Sequence, residues 1–290
     1  MYSIGIAGGF VEYAKKDSLV STEWVANNLD NKSVRIVEVD YDPVPNYNQS
    51  HVPGAILFDW KKDLNDPVTR DLLSRKHLEE LLGRSGIGNG TTIVLYGDFN
   101  NWFAAYALWD LLYYGVENVK LMNGGRKKWL AEDRLVTKDV PAITKTAYRA
   151  KEPDSSIRAF MHDVKGVLGK KDWGLVDVRS PAEYTGQVLA PPEYPNEGAQ
   201  RGGHIPGAVN IPWGQAVNED GTFKTADELM KLYQSKGITP DKKIVTYCRI
   251  GERSSHTWFV LTHLLGYRNV VNYDGSWSEW GNGIRNPVEK

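Results

Sequence analysis

Two kinds of stretch alternate along this chain. Short continuous apolar runs recur, among them Gly174–Val178 and Ile244–Tyr247. Runs of this length and continuity suit strands buried on both faces. Between them lie longer stretches with helical spacing. Asp227–Gln234 is one; Ser254–Leu265 is another, with Trp258, Leu261 and Leu265 on one face and Gly266 as terminator. Strand and helix units in alternation predict an α/β fold, with mostly parallel sheets flanked by helices on both faces. In such sheets ligands bind beyond the carboxyl ends of the strands.

The pattern is written twice. His51-Val52-Pro53-Gly54-Ala55 recurs as His204-Ile205-Pro206-Gly207-Ala208, each followed by a tryptophan, Trp60 and Trp213. Ile36–Asp40 recurs as Leu175-Val176-Asp177-Val178-Arg179. Farther on, an offset of 151 residues carries Tyr96 onto Tyr247, Gly115 onto Gly266, Asn118 onto Asn269, Gly124 onto Gly275 and Trp129 onto Trp280. A repeat this long is a domain. The expected organisation is an N-terminal extension (1–18), a first domain (19–135), a polar, proline-marked linker (136–155) and a second domain (156–287).

Composition narrows the function classes. With 35 Lys and Arg against 36 Asp and Glu, the net charge is −1, and no global field recruits nucleic acid or an anionic membrane. No window has the apolar length of a membrane span. The start, Met1 to Glu12, lacks a basic leader and its apolar run is broken by glycine, so no signal peptide is expected. A single cysteine excludes an internal disulfide and points to a reducing, cytoplasmic setting. Apart from His51 and His204, the four remaining histidines show no metal-ligand spacing with each other or with that cysteine, so no metal is expected, and the thiol chemistry calls for no organic cofactor.

Cys248 carries the candidate chemistry. It follows the apolar run Lys243–Tyr247 and opens the loop Cys248-Arg249-Ile250-Gly251-Glu252-Arg253. A thiol between strand end and helix start faces unpaired backbone N–H groups and the positive end of the helix dipole. Arg249 and Arg253 add to that field, so a nucleophilic thiolate is expected. The loop amides would form an anion nest, with Gly251 permitting the tight curl. At the repeat offset Cys248 falls on Gly97, and the corresponding loop, Gly97-Asp98-Phe99-Asn100-Asn101-Trp102, has no nucleophile and no arginine. The first domain is therefore expected to be catalytically silent and to form one wall of the site.

These features together resemble a two-domain, tandem rhodanese-type sulfurtransferase, over nearly the whole chain. The carriers are the duplicated Asp-Val-Arg-like strand, the duplicated His-x-Pro-Gly-Ala, the cysteine loop, and Asp274-Gly275-Ser276-Trp277-Ser278-Glu279-Trp280. The resemblance implies two rhodanese-like domains, the second catalytic. It also implies a thiosulfate sulfurtransferase that passes sulfur through a persulfide on Cys248 to cyanide or a small or protein thiol. Arg249 and Arg253 would neutralise the dianionic donor and the leaving sulfite. Vertebrate thiosulfate sulfurtransferases resemble Cys-Arg-Lys-Gly-Val-Thr in this loop; here Ile250 replaces the lysine and Glu252-Arg253 the last pair. Glu183 stands where those relatives have a substrate-binding arginine, so positive charge has been moved. The alternative, 3-mercaptopyruvate sulfurtransferase, looks like Cys-Gly-Ser-Gly-Val-Thr, without a charge after the cysteine. Cysteine-dependent phosphatases and arsenate reductases resemble C-x5-R, one residue longer than C-x4-R here. A non-catalytic binding module is the remaining reading, and the intact loop weighs against it.

Other residues divide between structure and site. Arg179 either reaches the cysteine loop as a substrate contact or pairs with Glu183 or another carboxylate to hold the loop. Asp177 reads as a structural acceptor, and Arg201 either lines the entrance or is solvated. His51 and His204 recur in both halves, so they read as structural. Trp277 and Trp280 are expected to wall the pocket, Trp280 with a packing role because Trp129 matches it.

Overall fold

The computed structural model describes residues 12–190 and 198–290. Of the expected N-terminal extension, residues 1–11 lie outside the described residues. Nine strands are present among the described residues, in two sheets. The first contains β1 (Leu19–Val20), β2 (Val34–Asp40), β3 (Ile56–Asp59), β4 (Thr92–Tyr96) and β5 (Val119–Met122), in the order β1-β5-β4-β2-β3. The second contains β6 (Trp173–Asp177), β7 (Val209–Asn210), β8 (Lys243–Tyr247) and β9 (Val270–Tyr273), in the order β7-β6-β8-β9. Every pairing is parallel. The second order is the first without its edge strand, and a single parallel bridge from Arg158 to Asn272 stands at that edge. Each sheet is thus a copy of the α/β pattern read from the sequence.

The chain forms two compact units. One holds Asp17–Asp154 with Glu219–Thr222; the other holds residues 12–16 and the described parts of 155–218 and 223–290. The segment 136–155 is irregular backbone tacked along the first unit. Thr137 pairs with His51, and the Thr146 and Lys151 amides donate to the carbonyls of Gly83 and Tyr114, both at 2.9 Å. Residues 14 and 15 belong to the second unit, donating to the Leu264 and His263 carbonyls at 2.9 and 2.8 Å.

The strand runs are buried because parallel sheets are covered on both faces: Ile244, Val245, Thr246 and Tyr247 are all buried. The duplicated Pro-Gly pairs make tight turns. Ala55 N–H donates to the Val52 carbonyl at 2.9 Å and Ala208 N–H to the Ile205 carbonyl at 3.0 Å. Both Gly54 and Gly207 have φ of 76°, the conformation a type II turn demands of its third residue. His51 stacks on Tyr47 and His204 on Tyr184, and each Nδ1 donates to its tyrosine's carbonyl. The same device in both halves is structural.

The helix after Cys248 starts two residues earlier than its apolar spacing predicts. It runs Glu252–Phe259 and widens into a π-turn at Val260–Leu264, where Leu265 N–H reaches the Val260 carbonyl. The carbonyls of His263 and Leu264 in this turn are the ones that accept from residues 14 and 15. Among the described residues no helix is long and apolar enough to cross a membrane.

Candidate active site

β8 lies inside the second sheet, between β6 and β9. Its apolar run ends at Tyr247, and the next residue, Cys248, is buried at the carboxyl end of the strand. Two contacts fix the backbone there. Cys248 N–H donates to Ser276 Oγ at 3.0 Å, and its carbonyl accepts from Trp277 N–H at 3.1 Å. The loop then curls back through Gly251, whose φ of 103° is open to glycine and costly for other residues. That curl brings the Gly251 N–H to 3.2 Å from Cys248 Sγ. Ser254 Oγ stands 3.7 Å from the sulfur while donating to the Gly251 carbonyl at 3.0 Å.

The charge around the sulfur differs from the expected electropositive loop. Glu252 Oε2 lies 3.3 Å from Sγ, placed to accept the thiol proton. Burial pushes the Cys248 thiol above its ordinary pKa, and the Glu252 carboxylate pushes it the same way; Arg253 and the Ser254 hydrogen bonds oppose this without reversing it. The resting group at neutral pH is therefore a thiol, not the thiolate inferred from two nearby arginines. One arginine is largely spent elsewhere: Arg253 Nη1 and Nη2 grip both oxygens of Glu183 at 2.9 and 3.0 Å. Opposing the burial that would raise it, this grip holds the Glu183 carboxyl at about 2.

Arg179 takes the second of the two roles left open for it. Its guanidinium grips Asp177 through Nε at 3.0 Å and Nη2 at 2.6 Å, donates to the Gly203 carbonyl, and lies 4.6 Å over the Trp277 ring. The carboxylate it holds is Asp177, while Glu183 goes to Arg253. Arg249 and Ile250 are buried within the loop. Arg201 is engaged by the carbonyls of Trp280, Gly281, Gly283 and Asn286. Trp277 donates from its indole to the Arg201 carbonyl, and Trp280 belongs to the core cluster with Tyr247 and Tyr273. Among the described residues no group of three or more His, Cys, Asp or Glu side chains could hold a metal ion.

The rhodanese-like domain family matches this chain twice, over residues 21–132 and 161–282. The chain belongs to that family. It is a tandem rhodanese-type sulfurtransferase. The sulfur carrier protein TtuD of Thermus thermophilus is 54% identical over 281 residues, covering 96% of this chain and 98% of that protein. A protein of Saccharopolyspora erythraea, provisionally named a thiosulfate sulfurtransferase, is 53% identical over 276 residues, 95% of this chain and 97% of its own. Among solved structures, EanB bearing a cysteine persulfide, in a tetrahedral intermediate state with ergothioneine, is 30% identical. It matches with a TM-score of 0.85 over 96% of this chain and 71% of its own.

The first rhodanese-like domain carries the opposite charge at the matching place. Its sheet end holds Asp40 where the second has Arg179, and Asp98 where the second has Arg249. Glu38, the counterpart of Asp177, is bound by Tyr96 and by Arg126 at 2.9 Å. Burial raises all three carboxyls, with mutual repulsion adding to it, and Asp98 is pushed up to about 8. The centre of the loop is filled by Asn101, which accepts from Gly97 N–H at 3.0 Å and donates to the Met122 carbonyl at 2.8 Å. A β-carbon on Gly97 would meet the Val39 carbonyl oxygen at 2.4 Å. So this loop lacks a nucleophile and also the room for one.

Sequence reasoning assigned no role to Ser276 or Ser254, the two hydroxyls beside the cysteine. The signal for Ser276 lay in the repeat. Its counterpart is Gly125, and both have left-handed backbones, φ 51° and 56°. A serine kept where the other copy has glycine marks a hydroxyl in use.

Proposed function

We propose that this sulfurtransferase takes the outer sulfur of thiosulfate onto Cys248 as a persulfide and hands it to cyanide or a thiol acceptor. The observation that carries the reading is the sulfur's position. It is the sole thiol of the chain, at the carboxyl end of an internal parallel strand, with the Gly251 N–H on it at 3.2 Å. Cys248 Sγ attacks the outer sulfur, the S–S bond of the donor breaks, and sulfite leaves with the bonding pair. The Gly251 N–H and the Ser254 hydroxyl then lie beside the sulfur that carries the new bond. Arg249, directly after the cysteine and buried in its loop, is the arginine we assign to the donor's sulfonate. A charge directly after the cysteine favours thiosulfate over 3-mercaptopyruvate. The names of the relatives, one a thiosulfate sulfurtransferase and one a sulfur carrier, support both the donor and a protein or thiol acceptor. The EanB persulfide supports the covalent intermediate.

Intact mass after incubation with thiosulfate is expected to rise by one sulfur atom, about 32 Da, the mark of a covalent intermediate. Cys248→Ser should show neither the adduct nor turnover. Sulfur transfer by Cys248→Ser at the wild-type rate would end this mechanism. Comparing kcat/KM for thiosulfate and 3-mercaptopyruvate on one preparation then decides the donor.

A further inference from the structure

The buried thiol presents a chemical problem. Attack on a sulfane sulfur needs the thiolate, yet burial and Glu252 both hold the proton on Cys248. The proton must go somewhere as the S–S bond forms, and a carboxylate touches the sulfur. Glu252 Oε2 is 3.3 Å from Sγ, on a side chain only 1% exposed. Its other oxygen, Oε1, lies 3.5 Å from Arg253 Nε. Arg253, the other charged group acting on the sulfur, gives Nη1 and Nη2 to Glu183. Arg249 is the other charged member of the same loop.

Resting on the reading of Cys248 as the sulfur carrier, we propose that Glu252 is a catalytic residue, the acceptor of the thiol proton as Cys248 attacks the donor. The step balances. Cys–SH, a glutamate carboxylate and thiosulfate dianion give Cys–S–S⁻, a glutamic acid and sulfite dianion, with three negative charges on each side. The new Cys–S bond forms as the donor's S–S bond breaks, and sulfite leaves with that pair. The carboxylic acid then sits beside the persulfide as a hydrogen-bond donor to its anion. It is restored to carboxylate when its proton passes to the departing sulfite or to solvent. The same residue suppresses the free thiolate between turnovers, which shields the resting sulfur from oxidants and alkylating agents. Reactivity is thereby confined to the moment a donor is bound.

Glu252→Gln separates this role from a merely electrostatic one, because the two readouts move in opposite directions. Removing the negative charge should shift the pH midpoint of Cys248 alkylation by iodoacetamide downward. A residue that only suppressed the thiolate would therefore speed persulfide formation when replaced. The proposal expects single-turnover persulfide formation from thiosulfate at neutral pH to slow instead, on the order of 100-fold, the scale of lost general-base catalysis. Persulfide formation in Glu252→Gln as fast as in wild type, or faster, overturns it. The wild-type protein supplies a second reading that needs no variant. Because the proton moves in the step that forms the persulfide, single-turnover persulfide formation is expected to be slower in D2O than in H2O, and an equal or faster rate overturns the proposal. Wild-type protein that gains no sulfur from thiosulfate overturns the functional reading and this one together. Sulfur gain with an unaffected Glu252→Gln removes only Glu252.

Discussion

Ser276 holds its backbone at φ 51°, where a β-carbon crowds the chain and costs about 1–2 kcal/mol. The strain has a local return. Its Oγ accepts the Cys248 N–H at 3.0 Å and donates to the Tyr273 carbonyl at 2.7 Å, so one hydroxyl ties the end of β9 to the first residue after β8. Both atoms it serves are buried, and a buried amide left without a partner costs about 1–3 kcal/mol. Ser276→Ala keeps the strain and loses both bonds, so a loss of about 1–3 kcal/mol is expected in urea unfolding. Ser276→Gly loses the same bonds but relaxes the backbone, as Gly125 does in the other copy, and should cost less than the alanine. Alanine and glycine variants of equal stability would show that the left-handed backbone carries no strain here. Wild-type stability in both would show that the hydroxyl is not what holds Cys248 N–H.

At the scale of elements, the short helix Pro181–Tyr184 and the helix Glu252–Phe259 are tied by one ion pair. Glu183 does two tasks: it completes the capping box with Ser180, whose N–H and Oγ donate to it at 3.1 and 2.9 Å, and it takes both ends of Arg253. Removing one partner of a buried pair strands the other charge, so Arg253→Ala should cost about 3–5 kcal/mol at neutral pH. Since the carboxyl is depressed to about 2 in the folded protein, its contribution is complete above the ordinary carboxylate range and is lost as pH falls below it. The gap between wild type and Arg253→Ala in urea melts should therefore narrow from pH 4 towards pH 2. A loss under about 1 kcal/mol at neutral pH, as for an exposed pair, would count against a buried clamp. This pair also explains the limits of the sequence reading. β6 and β8 were legible to within one residue because a strand covered on both faces must be continuously apolar. The duplication was legible because His51–Ala55 and His204–Ala208 repeat residue by residue. The thiol's protonation was not, because it depends first on burial and on Glu252 lying beside the sulfur, while Arg253 is drawn to a carboxylate 70 positions away. The π-turn after Phe259 was hidden for a similar reason, as its carbonyls are met by residues near the start of the chain.

Across the whole molecule the duplication preserves the frame and inverts the chemistry. The four strands common to both sheets share one order, both units carry the stacked histidine and the Pro-Gly turn, and both donate a backbone N–H to the tyrosine hydroxyl at the strand end, Val52 to Tyr96 and Ile205 to Tyr247. One sheet end then carries Cys248 among arginine–carboxylate pairs. The other carries Glu38, Asp40 and Asp98 around Arg126. Three carboxyls sharing a buried site with one guanidinium retain protons that an unfolded chain has already released. Their folded values lie above the ordinary carboxylate range of about 4, with Asp98 at about 8, so between those limits the native state binds more protons than the unfolded one. Stability of this unit is then complete below the ordinary range and falls as pH rises towards 8. Each proton difference contributes at most about 1.4 kcal/mol per pH unit, so a fall on the order of 1 kcal/mol per unit for each proton retained is expected between pH 5 and pH 8. Pulse proteolysis in urea, with fragment masses distinguishing the halves, would measure it. In Asp40→Asn with Asp98→Asn the slope should flatten, because amides have no proton to retain. A first unit whose stability holds level or rises over that range would mean that these acids are ionised in the fold. The charge inversion would then be met by neutralising contacts instead of by shared protons.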